Sequence, residues 1–165
     1  MHLVHLVHLP APCTSFTVCG VDGMLPASFR NMGARDPEEL VAWRLAHALK
    51  LVVYAITARP DVRRDFGFCN QIREAASSGE DNIAEGFWRY GHGDFARFLM
   101  IARSSIGEVH NKLGDGFDRG HLNRDECDQH RRLATRALKA TSRLHAYLKS
   151  SDTPHFPRKT EDDTD

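Results

Sequence analysis

From Phe95 to Leu113 the apolar residues recur at spacings of three and four: Phe95, Phe98, Leu99, Ala102, Ile106, Val109 and Leu113. At about 100° per residue they form one stripe, with Arg97, Ser104, Glu108 and Asn111 opposite. A strand cannot hold such a stripe, because its faces alternate every second residue. The segment is a helix with one buried side, and it needs other helices to bury that side against.

Three more segments carry helix signals. Asp36 is a good N-cap, followed by Pro37 and the acidic first turn of Glu38 and Glu39, and the pattern runs to about Ala58 before Pro60 stops it. A second helix spans Phe66 to Phe87, with Gly86, Gly91 and Gly93 marking its exit. Asp94 caps the third, which ends around Gly114-Asp115-Gly116. Asn123 caps the fourth, Glu126 completes a capping box, and the helix lasts to about Lys149. Four helices of about 20 residues joined by short links predict an all-α fold, an antiparallel up-down-up-down four-helix bundle.

The bundle is expected over residues 34–150. Residues 1–33 carry no sustained period and read as a disordered leader. The HLVHLVHL repeat sets His2, His5 and His8 three apart, yet no carboxylate or cysteine completes a metal shell there. Met24 or Met32 would start the chain just before the first helix, so the leader reads as an over-extended start. Residues 151–165 are polar and acidic and read as a disordered tail.

Charge follows the same division. The whole chain balances 22 basic against 22 acidic residues. The 34–150 body holds 19 basic and 16 acidic, a net of +3, and the 151–165 tail holds two and five, a net of −3. A protein basic all over is excluded, but a local basic stripe is not, and the tail is placed to screen one. Cys13, Cys19, Cys69 and Cys127 form no C-x-x-C pair, which signals neither disulfide framework nor zinc module and fits a reducing cytoplasm. No apolar run approaches the ~18 residues of a membrane span.

Helix faces suggest where partners bind. In the first helix Leu45, Leu49, Val52 and Ile56 make a core face, while Leu40, Trp43, His47, Leu51 and Tyr54 lie nearly opposite. The second set, with Leu40, Trp43, Leu51 and Tyr54 as anchors, is expected either to dock another subunit or to be covered by the leader or a loop. In the second helix Phe68, Ile72, Ala75, Gly79 and Ile83 share a face small enough for close approach. Gln71, Ser78, Asn82 and Glu85 form a polar stripe beside it, which is either a binding or interhelical hydrogen-bonding edge or a solvated one. In the fourth helix Arg132, Arg136, Lys139 and Arg143 stand in line at spacings of 4, 3 and 4, opposite an apolar face that includes Leu133, Ala134, Ala137, Leu144 and Leu148. Such a line either tracks RNA or DNA phosphates or is an ordinary solvated surface. Catalytic signals are missing: the chain has no Glu-x-x-His pair, Walker loop, dinucleotide fingerprint, G-x-S-x-G or H-E-x-x-H. The expectation is a non-enzymatic protein with no cofactor and no metal.

Several ordered blocks carry a family resemblance. They are Trp43-Arg44-Leu45-Ala46, Gln71-Ile72-Arg73 with Ala75-Ala76, Asn82-Ile83-Ala84-Glu85-Gly86, and Phe98-Leu99 with Ile101-Ala102-Arg103 and Ser105. Over roughly Leu40 to Leu148 the chain resembles the four-helix-bundle proteins encoded in intervening sequences of bacterial 23S rRNA genes. That family is similar to the accessory proteins of diversity-generating retroelements. The resemblance therefore implies a homo-oligomer, a pentamer in those relatives, that meets nucleic acid and a reverse transcriptase. It makes Gln71, Asn82, Glu85 and Gly86 signature positions of structural kind and brings no catalytic residue. Two departures stand in the second helix: Gly79-Glu80-Asp81 replaces an Ile-Pro-like step, and Glu74 replaces a basic residue. With a body of only +3, the chain fits a general family member better than a retroelement accessory protein.

Overall fold

Asp65 caps the helix that begins at Phe66, its Oδ1 accepting from the Phe68 N–H at 3.1 Å. In the computed structural model, which describes residues 34–89 and 91–150, four helices follow one another: α1 (Val41–Thr57), α2 (Phe66–Phe87), α3 (His92–Asp118) and α4 (Arg124–Ser150). The 1–33 leader with its histidine repeat and the 151–165 tail lie outside the described residues. Among the described residues there are no strands, and no helix is long and apolar enough to cross a membrane.

Contacts between helices run in opposite order along each successive pair. His47, Tyr54 and Thr57 of α1 meet Glu80, Ser77 and Arg73 of α2. Ser78 and Gln71 of α2 meet Ser105 and Lys112 of α3. Leu113 and then His110 of α3 meet Cys127 and Arg131 of α4. Each pair is antiparallel, and α1 also packs against α4, which closes the bundle.

The core holds the whole predicted α3 stripe except Phe98, which is half-buried. Facing it are Phe68, Ile72, Ile83 and Phe87 of α2, and Ala134 and Ala137 of α4. In α1 the buried line is Ala42, Ala46, Leu49, Val53 and Ile56, so Leu45 and Val52 sit on its flank rather than at its centre. Cys69 and Cys127 are buried, unpaired thiols. Burial pushes the Cys69 thiol above its ordinary pKa, which lowers its reactivity.

Of the eight ends of α1 to α4, five follow the predictions and three depart. The capping box forms as expected: Asn123 Oδ1 accepts from the Glu126 N–H at 2.9 Å, and the Asn123 N–H donates to Glu126 Oε2 at 3.0 Å. The span of α2 is as predicted. Asp36, however, caps only a 3-10 turn, Pro37–Glu39, because Leu40 is extended and breaks the helix before α1 begins. α3 starts at His92, ahead of Asp94, with Gly91 at the N-cap. It also runs through Gly114 and Gly116, since Gly116 lies under the Phe68 ring, where a Cβ would be 3.0 Å from Cζ.

The true stop of α3 is Gly120. Its φ of 76° lets the Gly120 N–H reach the Phe117 carbonyl at 2.9 Å and the His121 N–H reach Gly116 at 2.8 Å, a Schellman ending. Gly120→Ala should therefore cost about 1 kcal/mol in chemical denaturation, because an L side chain is strained there.

Polar contacts tie the ends of the bundle together. Arg59 Nη2 donates to Glu126 Oε1 at 2.6 Å, joining the end of α1 to the start of α4. That bond, with the Asn123 N–H, holds the Glu126 carboxyl below its ordinary pKa. Asp65 Oδ2 accepts from His121 Nε2 at 3.1 Å and from Arg119 Nη1 at 3.0 Å. These bonds, His121 first, hold the Asp65 pKa at about 2 against an ordinary 3.8. Asp65 thus contributes its full stability above pH 3.8, and loses it as pH falls toward 2. Melting temperatures taken from pH 5 to pH 2 should show a shallower acid fall in Asp65→Asn than in the wild type.

Candidate nucleic-acid interface

The outer face of α4 follows from what the inner face buries. Cys127, Ala134, Ala137, Thr141 and Leu148 point into the core, and residues displaced by half a turn point outward. Arg132, Arg136, Lys139 and Arg143 are all exposed. Eleven residues separate the first from the last, so the line is about 16 Å long at 1.5 Å per residue.

Among the described residues none of these four side chains has a hydrogen bond or ion pair. Arg59, Arg89 and Arg119 elsewhere are each held by carboxylates. Like charges three or four apart on a helix repel by about 0.2–0.5 kcal/mol per pair, and the stripe contains three such pairs. The three pairs sum to a repulsion of about 1 kcal/mol, offset only at the N-terminal end, where Asp128 stands one turn before Arg132 on the same face.

The edge of this face borders a groove of about 730 Å³ between α3 and α4. Lys139 and Arg143 reach its rim from α4, and Arg103 reaches it from α3. Met100 and Leu138 supply apolar lining. Arg103 was not singled out as a ligand from the sequence. Its position beside the α3 stripe fits the flank meeting α2 as well as the one meeting α4, and spacing alone does not choose between them.

The other proposed site residues divide. Leu40 and Trp43 are half-buried and pack on the core. The Trp43 ring stacks on His47 at 4.8 Å, and His47 Nδ1 lies 3.1 Å from Glu80 Oε1. Lys50 Nζ lies 2.5 Å from the other oxygen of Glu80, a carboxylate only 6% exposed. Tyr54 OH bonds Ser77 Oγ at 2.9 Å but is 41% exposed, and Leu51 is 53% exposed. Trp43, His47 and Tyr54 thus turn toward the α1–α2 seam, while Leu51 faces outward with Val41, which the sequence reading did not single out.

Of the polar stripe of α2, Gln71 and Ser78 bridge to α3, while the bonds of Asn82 and Glu85 stay local. Lys112 Nζ donates to Gln71 Oε1 at 2.5 Å, and Ser78 Oγ bonds Ser105 Oγ at 2.9 Å. Asn82 Nδ2 donates to the Ser78 carbonyl at 2.7 Å, and Arg89 pairs with Glu85. A Cβ on Gly86 would come within 2.7 Å of both Phe95 Cδ2 and Phe98 Cβ, and one on Gly79 within 2.9 Å of Ile106 Cγ1.

No curated protein matches the chain. The 23S rRNA-intervening sequence protein family does, over residues 38–143, a stretch reaching from the 3-10 turn to the last arginine of the α4 stripe. This protein belongs to that family.

Proposed function

We propose that the protein is a non-enzymatic, homo-oligomeric module that binds RNA or DNA backbones through the outer face of α4. The observation that carries the reading is the unpaired line of Arg132, Arg136, Lys139 and Arg143. Phosphates placed along it would replace three like-charge repulsions with charge-assisted contacts. Oligomer formation supplies the rest of the affinity, because one protomer offers few phosphate contacts and a ring of copies repeats them.

The subunit contact is assigned to α1, where Val41, Leu51 and Tyr54 are exposed apolar side chains on one helix. Light scattering on gel-filtered protein at tens of micromolar should give a multiple of the 18.6 kDa chain mass, and Leu51→Glu should return it to the monomer. A wild-type monomer overturns the oligomer. Titrating labelled RNA and DNA at low salt tests the binding, and no binding by either leaves a purely structural or protein-partner scaffold.

A further inference from the structure

The α3–α4 groove combines three features that a purely electrostatic backbone contact does not require. Its lining is mostly apolar, with Met100 half-exposed at 50% and Leu138 beside it. Three cations, Arg103, Lys139 and Arg143, stand around it with no partner among the described residues. On the α3 side the lining includes Gly107, where an added Cβ would meet nothing within 4 Å. The hollow is open where a side chain would otherwise fill it.

We infer that this groove seats an unstacked base of a single-stranded nucleic acid, with the flanking phosphates held by Arg103, Lys139 and Arg143. The inference rests on the nucleic-acid reading of α4 and adds to it the strand form that is bound. An apolar lining gains from a base face, and arginine planes stack on bases as well as pairing with phosphates. A duplex keeps its bases inside and presents only phosphates and groove edges, so it uses the cations and leaves Met100 and Leu138 unused.

Gly107→Leu tests this directly. It fills open space, replaces a helical glycine with a better helix former, and changes no charge. Circular dichroism and melting should show a fold at least as stable as the wild type. By fluorescence anisotropy, a labelled 20-nucleotide single strand should bind Gly107→Leu about tenfold more weakly, while a duplex of the same length stays within about twofold. Arg132→Gln/Arg136→Gln should weaken both forms. If Gly107→Leu binds the single strand as the wild type does, or loses both forms equally, the base seat is overturned while the α4 reading stands. If the wild type binds neither form, both readings fall. A peptide of residues 151–165 that occupies the groove when no single strand does would assign it to the chain's own tail and overturn the proposal.

Discussion

Raising salt from 50 to 200 mM should weaken duplex DNA binding by about 150-fold for each protomer that engages all four cations of α4. The figure follows from counterion release: four neutralised phosphates give a slope of about −3.6 in log affinity against log salt. Arg132→Gln/Arg136→Gln leaves two contacts, and its slope should halve to about −1.8. The halved slope is the more telling result, because a variant that merely misfolds loses affinity without a defined change in slope. Both arginines are exposed and unpaired in the bundle, so neither substitution removes a fold contact. A slope unchanged in the double variant would move the contact elsewhere.

The second large effect concerns stability. Gly86→Val should destabilise the bundle by about 3 kcal/mol, read as a shift in denaturation midpoint with an unchanged m-value. Any Cβ at position 86 starts 2.7 Å from the Phe98 Cβ, an atom fixed to the α3 backbone, and 2.7 Å from the Phe95 ring. The ring edge can tilt, but the Phe98 Cβ moves only if α3 moves. Trimming to Phe98→Ala should therefore fail to rescue the variant, since alanine keeps the clashing atom. Gly86→Ala should fall between, because about 1 kcal/mol of helix propensity offsets part of the overlap.

What could be read beforehand was whatever a single helix decides for itself. The α3 stripe, the Asn123–Glu126 box and the span of α2 depend on local spacing and capping, and they appear in the bundle as expected. Two of the displaced ends depend on contacts from elsewhere. Leu40 is extended, and Pro37 just before it is buried, so the Asp36 signal caps a single turn. Gly114 and Gly116 looked like a stop, but Phe68 lies across Gly116 and the helix continues to Gly120.

The α1 faces were misplaced for a related reason. A bundle helix has two neighbours, so its covered arc is broad, and Trp43 and His47 belong to the flank toward α2 rather than to an opposite side. The α4 stripe was legible because outwardness needs only the position of the core. The groove was not, because it exists only where the flank of α3 meets that of α4.

The bond between Arg59 and Glu126 spans 67 positions of chain, whereas the other helix pairs join neighbours in sequence. That difference sets an order of assembly. Hairpins α2–α3 and α3–α4 close short loops, while bringing α1 against α4 through an otherwise unformed chain costs about 1.7 kcal/mol more entropy than closing a ten-residue loop. A mostly local topology of this kind folds in microseconds to milliseconds. Closing the α1–α4 seam after the hairpins avoids that cost, because the folded hairpins already hold its two sides near each other.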